Sequence, residues 1–244
     1  MNWSYTAIML AAVGTGAVLA RRSQASLGLS REERIVIGLG AFCGAMLAAK
    51  LPFLLSDFSA LATGAAWFAN GKTIVAGLVG GYFGVEIAKW ALAVRVKTGD
   101  SFAVPVAAAI AVGRLACFAG GCCYGTATSL PWGIDFGDGV RRHPAQLYEF
   151  CFHASAALVL AWLHRRGLFR GQLIKLYIIA YLTYRFFSEW IRPEPQLWLG
   201  LTGYQWATLA LAPVFIWLWR RDALAFRAAA PSDVDLRATK KAAR

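Results

Sequence analysis

Charge is what this chain has least of. Asp, Glu, Lys and Arg together make up 16% of its 244 residues, and the 13 acidic residues are outnumbered by 25 basic ones. With 58% hydrophobic residues and ten tryptophans, that composition excludes an ordinary soluble globule. Cysteine is sparse and odd in number. Cys43, Cys117, Cys122, Cys123 and Cys151 lie mostly inside apolar segments, which excludes a disulfide framework. No Cys-x-x-Cys has a matching second pair, so neither a structural zinc site nor any other metal is expected, and no cofactor is expected either. Met1-Asn2-Trp3 lacks a basic n-region and no small-residue cleavage site precedes a soluble segment, so the first apolar run is not expected to be a cleaved signal. Neither an internal repeat nor a second domain is expected.

What the chain has instead is apolar runs of roughly 17–22 residues, long enough to cross a bilayer as helices. They read as seven spans: Trp3–Leu19, Ile35–Leu55, Thr73–Val94, Phe102–Phe118, Pro144–Leu163, Gly171–Ile191 and Gly203–Trp219. The fourth reads as the weakest, because Pro105 and Arg114 interrupt it. Sixteen of the 25 basic residues fall in the segments after spans one, three, five and seven, whereas the opposite loops hold only Lys72, Arg141, Arg142 and, just past span six, Arg192. The net charge of +12 is therefore a signal of membrane orientation rather than of nucleic-acid binding. Trp3, Trp67, Trp132, Trp198 and Trp206 at one set of ends, and Trp90, Trp162, Trp217 and Trp219 at the other, resemble two interfacial belts. The expected fold is an all-α integral membrane bundle of about seven transmembrane helices, with the N-terminus outside and the C-terminus cytoplasmic. Residues 1–221 form the one transmembrane domain. Residues 222–244 are expected to be a basic cytoplasmic tail, disordered or lying on the inner leaflet.

Polar residues are costly within such spans and so point to a site. The stretch from Gly113 to Glu149 holds Arg114, a Gly-rich turn with Cys122-Cys123, and Arg141-Arg142-His143-Pro144-Ala145-Gln146-Leu147-Tyr148-Glu149. Arg114 is expensive there unless it snorkels or meets an anion, and a phospholipid phosphate at headgroup depth is such an anion. Lys50 either adds a second positive charge or snorkels. Arg141 and Arg142 read either as solvated loop residues or, beside His143, as an anion site. Tyr181, Arg185 and Glu189 fall at i, i+4 and i+8, close to one stripe. They form either a self-neutralising structural pair or the polar wall of a lipid-facing cavity, extended by Arg192 and Glu194. Glu86 and Lys89 read as a local ion pair, and His153 and His164 as structural. Cys122 and Cys123 are either small fillers of the turn or a thiol poised for nucleophilic or redox work, with arginines near enough to lower its pKa.

At these residues the chain resembles the prolipoprotein diacylglyceryl transferase family of bacterial inner-membrane enzymes. Gly113-Arg114-Leu115 with Phe118, Gly121 and Gly125 is similar to that family's Gly-Arg signature. His143-Pro144-Ala145-Gln146-Leu147-Tyr148-Glu149 matches its His-Pro-x-Gln-Leu-Tyr-Glu motif, and Tyr181, Arg185 and Glu189 have the spacing of its late Tyr/Arg/Glu set. Leu47-Ala48-Ala49-Lys50-Leu51 resembles a stretch where the family has an arginine. The chain departs from the family pattern at three polar positions. Val75 stands at the family's span-three histidine, and Cys117 and Cys122 stand where the signature has Asn and Glu.

The resemblance implies transfer of a diacylglyceryl group from phosphatidylglycerol to the thiol of a prolipoprotein signal-peptide cysteine, releasing glycerol phosphate. It implies His143, Tyr181, Arg185 and Glu189 as catalytic residues. Lys50, Arg114, Arg142, Gln146, Tyr148 and Glu149 are implied to bind substrate, with Cys122 and Cys123 as candidates for thiol chemistry. Two alternatives stay open: a divergent paralogue serving another acceptor, and a non-catalytic phospholipid-binding protein.

Overall fold

The computed structural model describes residues 3–56 and 73–229, with side chains over 3–52 and 73–226. Among them are seven α-helices: α1 Trp3–Gln24, α2 Arg31–Ser56, α3 Ile74–Ala91, α4 Gly99–Ala119, α5 Ala145–Arg165, α6 Leu173–Ser188 and α7 Gly203–Ala229. Five of these, α1 to α5, are long and apolar enough to cross a membrane. The fourth is not the weakest after all. Its mean hydropathy of 2.0 is the highest of the five, and within the fold Pro105 is buried and Arg114 is paired with Glu149. Instead α6 is the short helix, 16 residues followed by a single 3-10 turn at Glu189–Ile191. The last helix continues to Ala229, so residues 222–229 belong to the helix and not to a tail. Lys72 and Trp67, and the rest of the expected tail from residue 230, lie outside the described residues.

Helix starts follow local chemistry. Ser30 and Glu33 form a capping box at α2: the Ser30 hydroxyl accepts from the Glu33 N–H at 3.1 Å, and Glu33 accepts from the Ser30 N–H at 2.7 Å. Thr73 caps α3 by accepting from the Ala76 N–H at 3.2 Å. Asp100, in the first turn of α4, accepts from the Leu173 N–H at 2.9 Å and so satisfies an orphan donor of α6.

Packing is antiparallel and relies on small residues. A Cβ at Gly40 would sit 2.7 Å from the Gly84 carbonyl, and Gly44 and Gly80 press backbone to backbone in the same seam of α2 and α3. This is the small-xxx-small mode by which membrane helices approach closely. In the same way α1 lies on α4, with Gly16 against Ala109 and Gly120 against Tyr5. Helix α4 packs on α5, and α6 on α7. The basic residues Lys97, Arg166 and Arg170 gather at one end of the bundle, where Asp222 of α7 holds Lys175 at 2.7 Å and Lys97 at 2.9 Å. The Glu86–Lys89 pair is present at 3.1 Å. The opposite end carries the loop between α4 and α5, the end of α6 and the start of α7.

A candidate active site at one end of the bundle

Glu149, in the first turns of α5, lies between two arginines from other helices. It pairs with Arg114 of α4 and with Arg185 of α6, the latter at 3.3 Å. Arg185 in turn pairs with Glu189 at 2.7 Å, one turn along its own segment. The Glu149 side chain is 2% exposed and that of Glu189 is 0% exposed, so two positive and two negative charges form a closed, balanced, buried network. Arg114 is thus not an unpaired cation awaiting an anion, as its position in the sequence suggested. Isolated buried charges of this kind are untenable in a low-dielectric interior, which is why the four occur together.

Helix α7 completes the network. Thr202 donates its hydroxyl to Glu189 at 3.0 Å, and Gln205 donates to the Phe186 carbonyl at 3.2 Å. Thr202 and Gln205 also cap α7 reciprocally, the Thr202 N–H donating to Gln205 at 3.0 Å. The Arg185 guanidinium lies 4.6 Å from the centroid of the Tyr204 ring. Tyr181 is fully buried beside the rings of Phe152 and His153, so the Tyr181/Arg185/Glu189 stripe exists as spaced in the sequence. His153 is buried and bonded through Nδ1 to the Tyr177 hydroxyl at 2.7 Å, a structural role.

His143 sits beside the network on the loop before α5. The Gly125 N–H donates to its carbonyl at 2.8 Å, its own N–H donates to Thr126 at 3.0 Å, and the Thr126 N–H reaches the Ile191 carbonyl at 2.9 Å. Gly125 permits this close approach, since a Cβ there would lie 2.8 Å from the Cβ of His143. The imidazole Nδ1 is 3.3 Å from the Tyr148 hydroxyl, which also accepts from the Trp132 indole at 2.7 Å. Tyr148 lines one end of an apolar groove of about 550 Å³ between α5 and α6, which runs past Phe152, Val159 and Leu163.

The remaining sequence candidates are placed as follows. Gln146 is buried and donates to the Cys122 carbonyl at 2.6 Å, tying the cysteine turn to α5. Arg142 pairs with Asp138 and lies over the Tyr124 ring. The bond to Arg142 holds the Asp138 carboxyl below its ordinary value. Arg141 is spent inside the two-stranded hairpin Ile134–Asp135/Arg141–Arg142, donating to the Gly133 and Pro131 carbonyls at 3.1 and 2.7 Å. Lys50 is buried on α2, next to the Ala49 carbonyl that accepts from Thr73. Val75 is a buried core residue of α3. Sequence reasoning missed Thr202, Tyr204, Gln205, Trp132 and Asp138. Of these only Thr202 and Gln205 carry a sequence signal, the Thr-x-x-Gln box before an apolar run.

A model of the family described as prolipoprotein diacylglyceryl transferase matches residues 2–221. The chain belongs to this family. Proteins named phosphatidylglycerol–prolipoprotein diacylglyceryl transferase are similar to it. The one from Cupriavidus metallidurans is 35% identical over 160 residues, the one from Methylobacillus flagellatus 34% over 152, and one from Legionella pneumophila 32% over 154. These matches cover 57–58% of this chain, and the chain spans only 58–60% of the length of those relatives. The polar network lies within the residues that the family model matches, at the bundle end opposite Lys97, Arg166 and Arg170.

Proposed function

We propose that this chain is a phosphatidylglycerol–prolipoprotein diacylglyceryl transferase. It would cross the bacterial inner membrane seven times, with its N-terminus outside and its C-terminus in the cytoplasm. The observation that carries the reading is the buried Arg114–Glu149–Arg185–Glu189 network, whose Glu149 follows directly on Tyr148, a residue that contacts His143 and lines an apolar groove of a kind that suits acyl chains. The lipid tails occupy the groove between α5 and α6, and the phosphate meets arginine N–H groups that Glu149 and Glu189 leave over, since each guanidinium has five donors. His143 takes the proton of the signal-peptide thiol. The thiolate forms a C–S bond at the glycerol carbon, the C–O bond to phosphate breaks, and glycerol phosphate leaves with the electron pair and the arginines' charge compensation.

A second reading is favoured by Val75, buried in the core where the family pattern has histidine. In it, the chain is a divergent paralogue serving another acceptor, with a thiol of Cys122 or Cys123 carrying the lipid. Purified chain given phosphatidylglycerol and a cysteine-bearing prolipoprotein signal peptide separates the two. The first reading predicts diacylglyceryl mass on the peptide and free glycerol phosphate. Lipid mass on the chain itself, with the peptide unmodified, supports the second.

A further inference from the structure

The cysteine turn does something the transferase reaction does not need. Cys117, on the last turn of α4, and Cys122 and Cys123, in the turn that follows, place their three Sγ atoms within 4.8 Å of one another. Cys122 and Cys123 stand 3.6 Å apart, sulfur to sulfur, and all three thiols are unbridged. The backbone is bent to achieve this. Gly121 and Cys123 both adopt positive φ, +62° and +66°, a conformation a cysteine rarely takes, and the Cys122 N–H returns to the Cys117 carbonyl at 3.1 Å. The turn is fixed from outside as well, by Gln146 on the Cys122 carbonyl and Arg192 on the Cys123 carbonyl. Three sulfurs about 4.0 Å apart are what a trigonal centre with metal–sulfur bonds of about 2.3 Å requires.

We propose that Cys117, Cys122 and Cys123 form a three-thiolate site for a soft monovalent metal ion of the Cu(I) class. Thiolates select soft ions, and among the described residues no fourth Cys, His or carboxylate joins the group, which suits a three-coordinate ion better than tetrahedral zinc. Each ligating thiol gives up its proton, so a neutral site binding one Cu(I) releases three protons and carries two net negative charges. Arg192, which donates to the Cys123 carbonyl, offsets part of that charge, and Arg114, though paired with Glu149, places its Nη1 3.8 Å from the Cys117 sulfur. Sequence spacing gave no hint of this, since Cys-x4-Cys-Cys matches no paired zinc motif.

The test is titration of the purified full-length chain with Cu(I) under anaerobic, reducing conditions against a competing Cu(I) chelator, with X-ray absorption of the loaded protein. One equivalent in a shell of three sulfurs is expected, and Cys117→Ser or Cys122→Ser should each weaken binding at least tenfold. A measurement that needs no variant is alkylation with mass readout. Cu(I) should shield Cys117, Cys122 and Cys123 and leave Cys43 and Cys151 as reactive as before. Unchanged affinity in the Ser variants, a shell of fewer than three sulfurs, or shielding that does not single out these three residues overturns the site.

Discussion

Replacing Glu149 with Gln removes one charge and almost no volume from the centre of the network. The structure contains two arginines and two carboxylates, and Glu149 serves both arginines from a position 2% exposed. Without its charge, Glu189 still neutralises Arg185 at 2.7 Å, but Arg114, with 11% of its side chain exposed, has no carboxylate. Breaking a buried pair by removing one partner costs about 3–5 kcal/mol, chiefly because the survivor is left buried and uncompensated. For a chain of this size each kcal/mol lowers Tm by about 2–4 °C, so the loss should be roughly 6–20 °C in detergent. The double variant Arg114→Gln, Glu149→Gln restores neutrality and should recover more than half of that loss. Thermal unfolding of the wild type, both single variants and the double variant measures the cycle. Additive losses, with the double variant worse than either single one, would refute the view that these residues stabilise each other as a closed network.

Arg114→Ala and Arg185→Ala should each lower lipid turnover about tenfold or more, as expected from losing a charge-assisted phosphate contact of about 1.5–3 kcal/mol, with Lys restoring only part; Michaelis kinetics on vesicles containing phosphatidylglycerol measures this. His143→Ala should abolish turnover, and Tyr148→Phe should reduce it while leaving Tm within a few degrees, because the lost hydroxyl contacts the imidazole at 3.3 Å from a half-buried position. Arg142→Ala tests anion binding against loop structure: a tenfold loss there together with wild-type turnover in Asp138→Ala assigns Arg142 to the phosphate, whereas equal small effects leave it to the hairpin. Reporter fusions at Arg221 and at Ser129 should report cytoplasm and exterior respectively, and the same answer at both positions would defeat the seven-span topology.

Much of the candidate site's local layout was legible because it is written locally. His143, Gln146, Tyr148 and Glu149 lie within one turn and its loop, and Arg185–Glu189 is an i, i+4 pair, so spacing alone brings each set together. What spacing could not show is pairing across helices. Glu149 is 35 residues from Arg114 and 36 from Arg185 in the chain, and only packing of α4, α5 and α6 makes it their common partner. That is why Arg114 read as a cation in want of an anion, and why it seemed to weaken span four. Helix limits were misjudged for a related reason. Residues beyond 221 read as tail because they are charged, yet Asp222 is held by Lys175 and Lys97, a contact made only when α6, α7 and the segment before α4 meet. The thiol cluster was hidden because a positive φ at Cys123 is not readable from its neighbours in sequence.

The most direct test of the proposed activity is complementation of a bacterial strain depleted of its own diacylglyceryl transferase, read out by intact mass of a reporter lipoprotein. The wild-type chain should restore growth and add one diacylglyceryl group to the reporter cysteine, and His143→Ala should do neither. Wild-type chain that is expressed and membrane-inserted yet leaves the reporter cysteine unmodified would contradict the transferase reading.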